Sequence, residues 1–139
     1  MIKKILFWSP YIGKVGTKNA VINSAIALSK SKKYKCKIIN VFGEFDNYDK
    51  FFIENNLEEI KLIKNRLIFL LPDKGFFFSR IKFFLIFIFS FFPLLFYLKK
   101  NKNDYLFIYL ITSLPLLITT IFNLDNKIIF RVSGKIYFS

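Results

Sequence analysis

Histidine is absent from this chain, cysteine and tryptophan each occur once, and arginine stands only at Arg66, Arg80 and Arg131. Without histidine there is no imidazole ligand for a metal, no histidine-based triad and no imidazole proton shuttle. No metal site and no cofactor is expected. Cys36 cannot form an internal disulfide; it reads as a small apolar side chain within a strand and permits a reducing cytoplasm. Acidic residues are also scarce, nine against 22 Lys and Arg. No G-x-G-x-x-G run occurs, which disfavours a dinucleotide cofactor, and no G-K-[ST] ending marks a P-loop. The apolar run near the start is soon followed by Lys14 and Lys18 and shows no A-x-A-like cleavage site. It reads as a first strand rather than a secretory signal.

What is abundant is phenylalanine, 20 residues of 139, together with lysine and a formal charge of +13. A coding sequence rich in A and T favours Phe, Lys, Ile and Asn, and composition alone does not separate that cause from selection. If selected, the charge suits an anionic surface, nucleic acid or acidic lipid. The aromatics stand in apolar runs rather than among basic residues, which favours lipid and no nucleic acid.

The length suits one domain. Short apolar runs alternate with stretches of helical spacing. Lys4 to Ser9, Cys36 to Phe42, Glu59 to Ile63, Asp104 to Leu110 and Lys127 to Ser133 read as strands. Thr17 to about Ser29, Asn47 to Asn56, Ser79 to about Lys100 and Thr112 to Asn123 read as helices, with Thr17 and Ser79 as N-caps. Asn65 to Phe78 gives no clear pattern. Such alternation predicts an α/β fold, a parallel sheet with helices on both faces. Ligands in that class sit beyond the carboxyl ends of the strands.

Five groups of residues fall where chemistry is expected. Gly13, Lys14, Gly16 and Thr17 link the first strand to the first helix, where glycines admit a phosphate to the helix start or merely shape a turn. Glu44 follows the second strand, as a ribose contact or a solvated acid. Thr112 and Ser113 cap a helix whose start faces the expected cleft, where their hydroxyls can also contact a ligand. Arg131, Ser133 and Gly134 end the last strand, with the arginine suited to a phosphate or to a sheet edge. Phe83 to Leu98 has no charge over a length slightly under the ~17 residues a span requires. It suits a buried helix, an interfacial helix or a span. The flanking basic residues favour the interface, with contacts from Arg80, Lys82, Phe83, Phe84, Phe87, Phe91, Lys99 and Lys100.

These segments together resemble family-4 glycosyltransferases of bacterial cell-surface polysaccharide synthesis. The points of likeness are ILFWSPYIGKVGTKNAVINSAIALSK (Ile5 to Lys30), INVFGEFD (Ile39 to Asp46), LKKNKNDYLFIYLITSLP (Leu98 to Pro115) and IIFRVSG (Ile128 to Gly134). The resemblance implies a GT-B enzyme of two Rossmann-like domains, with 1–139 as the amino-terminal, acceptor-side domain. It implies metal-independent, retaining transfer of a sugar to a lipid-linked or polysaccharide acceptor by a hexosyltransferase. Nucleotide sugar would bind only with a second domain, and this chain alone would be inactive, as a fragment, a truncated product or half of a split enzyme. Many members carry histidine where Tyr109 or Leu110 stands here. The expected location is cytoplasmic, peripheral on the inner face of the cell membrane. The alternative is a small single-span membrane protein without catalytic activity.

Overall fold

The computed structural model describes residues 2–12, 16–63, 76–109 and 112–131. Among the described residues five strands and five helices follow one another. They are β1 (Lys3–Trp8), α1 (Gly16–Lys30), β2 (Tyr34–Asn40), α2 (Asp49–Glu54), β3 (Glu58–Lys61), α3 (Phe76–Phe89), α4 (Phe91–Lys100), β4 (Tyr105–Tyr109), α5 (Leu114–Ile121) and β5 (Lys127–Arg131). All strands pair in parallel, in the order β3-β2-β1-β4-β5. The fold is α/β and Rossmann-like, as the alternation of elements predicts.

Side chains on a strand point alternately to its two faces, and both faces of this sheet are covered. Ile5 and Phe7 of β1 join Cys36 and Ile38 of β2 beneath Val21, Ile22 and Ala25 of α1 and Phe52 of α2. Leu6 and Trp8 point the other way and join Ile39, Leu106 and Ile108 against Ile86, Leu94, Leu98, Leu114 and Ile118. The second layer therefore consists of α3, α4 and α5.

Local chemistry sets the ends of several elements. Gly43 takes a φ of 97°, a conformation open to glycine, and its N–H donates to the Asn40 side-chain oxygen at 2.7 Å. Asn56 and Asn123 close α2 and α5 with φ of 54° and 46°. In each case the next N–H reaches back five residues, Leu57 to the Phe52 carbonyl at 2.9 Å and Leu124 to that of Thr119 at 3.0 Å.

Several expected elements differ in detail. The long helix from Ser79 is two helices that meet at Ser90 with a 41° bend. Pro93 explains the break, because it has no N–H to donate to the Phe89 carbonyl and fits only the first turn of a new helix. Ser79 lies inside the first turn of α3, and Thr17 inside that of α1, one residue after its start. Ser113 makes no side-chain cap bond to α5. Instead the Thr112 hydroxyl folds back onto Tyr109, accepting from its N–H at 3.0 Å and donating to its carbonyl at 3.2 Å.

Candidate functional site

In a sheet of this order the chain leaves β1 toward one edge and later returns to pair β4 on the other side. The carboxyl ends of β1 and β4 therefore flank the crevice where ligands of open α/β sheets bind. Ser9 to Ile12 leave β1 at this point, and Thr112 and Ser113 follow β4. Gly13, Lys14, Ser133 and Gly134 lie outside the described residues. Gly16 opens α1 with free space where a Cβ would stand, and Thr17 is half-buried beside it.

A recess of about 60 Å³ lies where β1 ends, lined by Pro10, Tyr11 and Ile12 and by Ser79, Lys82 and Phe83 of α3. The Tyr11 and Phe83 rings approach to 4.9 Å between centroids. Burial raises the Tyr11 phenol above its ordinary pKa. Lys82 is only 4% exposed. Nearby, Ser9 is fully buried, with a hydroxyl that has no hydrogen-bond partner. This volume holds several waters, but it is far below the ~300 Å³ and upward of drug-sized ligand pockets.

Arg131, exposed on the edge strand β5, and the buried Glu44 both bond to groups of this chain. The Tyr109 hydroxyl donates to the Ala20 carbonyl of α1 at 2.8 Å and lies 2.5 Å from the Ser24 hydroxyl. Arg131 Nη1 donates to Ser24 Oγ at 2.8 Å, and its guanidinium sits 5.6 Å from the centre of the Tyr109 ring. With each donor assigned, a chain runs from Arg131 to Ser24, Tyr109 and the Ala20 carbonyl. It ties β4 and β5 to α1. Tyr109 is the centre of this latch. Glu44 is 2% exposed and turns onto its own loop, where Oε2 accepts from the N–H groups of Val41 at 2.8 Å and Phe42 at 2.9 Å.

Lys18 did not stand out in the sequence, yet it is 2% exposed in the first turn of α1. It donates to the Glu44 carbonyl, and its ammonium lies 4.9 Å from the centre of the Phe45 ring and 4.6 Å from that of Tyr48. Burial pushes the Lys18 ammonium down to about 8, against the opposing pull of the Glu44 charge. Burial likewise pushes the Glu44 carboxyl up to about 7, against the backbone N–H groups and Lys18. The available signal was spacing, because Lys18 precedes Val21, Ile22 and Ala25 on one helix face.

The second layer carries a broad apolar surface. Phe84 and Ile88 of α3 are each 60% exposed, and Phe92 and Phe96 of α4 are also exposed. Leu117, Ile121 and Phe122 at α5 extend it, with the Phe91 and Phe122 rings 6.0 Å apart. Arg80, Lys99, Lys100 and Lys102 are exposed around it, and no acidic residue occurs within α3 or α4. Phe83, Phe87 and Phe91 are half-buried, and Lys82 is turned inward. Among the described residues no single helix is long and apolar enough to cross a membrane. The bent pair α3 and α4 meets that test together, but it places Ile86, Leu94, Leu95 and Leu98 against the sheet. No group of metal-ligating side chains occurs among the described residues. No family model, no curated protein and no solved structure matches this chain.

Proposed function

We propose that this chain is the acceptor-side domain of a glycosyltransferase that works on a lipid-linked or polysaccharide acceptor at an anionic membrane surface. The observation that carries the reading is contiguity. The recess at the end of β1 shares α3 with the exposed ridge of Phe84, Ile88, Phe92 and Phe96. A hydrophobic carrier lying along that ridge would bring its head group to the strand ends.

Exposed Phe84, Ile88, Phe92 and Phe96 on adjoining helices suit an interaction surface. Its basic rim suits acidic lipid, where each Lys or Arg near the surface contributes about 1 kcal/mol. The fold is compatible with many activities, so sugar transfer rests on the sequence resemblance together with this placement. In this reading the nucleotide sugar is held by a second domain, and nucleic acid is not a partner.

Photo-crosslinking tests the proposal, using a diazirine-bearing sugar linked to a polyprenyl diphosphate in anionic vesicles. Adducts within residues 79–92, competed away by the unlabelled compound, are expected. Labelling of bulk lipid alone would overturn it. Resistance of the chain to carbonate extraction would favour the single-span alternative instead.

A further inference from the structure

We infer that the outer edge of β5 accepts a strand from another polypeptide, an extended segment with acidic residues opposite Lys127 and Arg131 and apolar residues opposite Ile128 and Phe130. β5 lies two strands from β1, and the inference does not depend on the sugar-transfer reading.

The two edges of the sheet are built differently. β3 has four residues, three of them charged. Its Glu58 pairs with Lys35 and Lys37 at 2.8 Å each, and its Lys61 with Asp49 at 3.1 Å and Glu59 at 3.3 Å. A short, charged edge of this kind resists further pairing. β5 carries charge only at its ends, with Ile128, Ile129 and Phe130 between Lys127 and Arg131. Its register with β4 runs unbroken from Lys127 to Arg131. Among the described residues no strand pairs with its outer edge, which leaves a row of N–H and C=O groups open to an added strand.

The side chains specify what that strand must carry. Leu6, Leu106 and Ile128 stand side by side in register; the first two are buried and the third is exposed. Ile108 and Phe130 repeat the step from buried to exposed. Apolar residues on an added strand would continue both rows and cover their ends. On the opposite face Ile129 packs against the layer of α1, with Lys127 and Arg131 exposed on either side of it. Acidic residues directly opposite complement those two charges. The required order is acidic, apolar, any, apolar, acidic, which reads the same for a parallel or an antiparallel strand. A second copy of this chain does not supply it. Two β5 strands paired antiparallel about Ile129 set Lys127 against Arg131, like charges directly opposite on molecules of +13 each.

The probe is a fluorescein-labelled peptide with Glu-Val-Thr-Ile-Glu between glycine–serine flanks, followed by fluorescence anisotropy. A control of the same composition, ordered Val-Ile-Thr-Glu-Glu, keeps the charge and loses the alternation. The unaltered chain should bind the alternating peptide roughly tenfold more tightly than the control. Hydrogen exchange should slow at amides within 127–131 when that peptide is added. Phe130→Lys should weaken binding roughly tenfold. Lys127→Glu should weaken it as well, and one of two peptides carrying Lys in place of a single Glu should restore it.

Lys127 and Phe130 are exposed, so both variants should keep the native circular dichroism. Should Phe130→Lys lose it, the charge exchange at Lys127 carries the test. Equal binding of the alternating and control peptides overturns the inference, because attraction by net charge then explains both. Unchanged amide exchange within 127–131, or undiminished binding by a folded Phe130→Lys chain, also overturns it. Self-association of the unaltered chain in sedimentation equilibrium, abolished by Phe130→Lys, would assign the edge to a second copy and overturn the acidic partner.

Discussion

Replacing Tyr109 by Phe removes one oxygen atom and leaves the ring in place between β4 and α1. That oxygen donates to the Ala20 carbonyl at 2.8 Å and meets the Ser24 hydroxyl at 2.5 Å, in a region where Ser24 is 8% exposed. A buried hydrogen bond contributes about 1 kcal/mol net, and a group left unpaired costs somewhat more. Ser24 still accepts from Arg131 after the change, so its loss is partial. Together these give about 2–3 kcal/mol of destabilisation. For a urea slope near ~2 kcal/mol per molar, the unfolding midpoint should fall by roughly 1 M. Ser24→Ala breaks the shared contact as well as the 2.8 Å bond from Arg131, and should cost about 1–2 kcal/mol. Because the Ser24–Tyr109 bond is lost in either single variant, the double variant should be less destabilised than the sum, by about 1 kcal/mol. Urea unfolding followed by circular dichroism supplies all four corners of the cycle. Additivity within about 0.5 kcal/mol, or a neutral Tyr109→Phe, would refute the donor chain from Arg131 to Ala20.

The buried pair at the start of α1 predicts a pH dependence of known sign. The folded-state pKa of Lys18, about 8, lies below its ordinary value of 10.5, so its contribution to stability should rise as pH climbs through that interval. That of Glu44, about 7, lies above 4.5, so its contribution is present below pH 4.5 and lost as pH rises to 7. Lys18→Met should abolish the alkaline rise, so that the unaltered chain gains stability relative to the variant between pH 8 and 10.5. A difference that stays flat across that range would rule out a desolvated lysine. Ile86 is fully buried between α3 and the sheet, and Ile86→Ala should cost about 2–5 kcal/mol in denaturant unfolding. A cost well under 1 kcal/mol would show that α3 does not pack there. Cys36 is 1% exposed, with its thiol pushed up to about 11 by burial. It should react with a thiol-specific disulfide reagent only on unfolding, and fast labelling of the native chain would contradict its place in β2.

The layered plan was legible because strand and helix periods leave plain marks. Apolar runs such as ILFW suit strands covered on both faces, as in a parallel sheet, and the 17–28 stretch carries helical spacing throughout. Boundaries moved by one to three residues, as where β2 opens at Tyr34 rather than Cys36. The bend at Ser90 is half-visible in sequence, since Pro93 interrupts the hydrogen bonding of one long helix but does not fix where the break falls. The interior polar contacts were not legible. Ser24 and Arg131 are 107 residues apart in sequence, and no local pattern tells which hydroxyl an arginine will meet. Glu44 and Arg131 stand where ligand contacts stand in this class, but a solvated acid and a sheet-edge arginine read the same way in sequence. The side-chain bonds of the first to its own loop and of the second to Ser24 of α1 depend on packing. Lys18 and Lys82 were hidden for the opposite reason, since charge alone suggests solvent and only three-dimensional packing shows which lysines point inward.

Strand order also has a consequence for how the chain assembles. The pairing of β1 with β2 closes a short loop, since Lys3 meets Tyr34, whereas β1 meets β4 across a much longer stretch of chain, Ile5 pairing with Tyr105. On the ribosome, the segment through β3 can therefore form its sheet and its α1–α2 layer while Leu6, Trp8 and Ile39 still lack their cover. Closure by the later helices entails the larger loss of chain entropy and should set the folding rate. Until then the nascent protein is a one-sided sheet, and that is the interval in which a chaperone has something to hold.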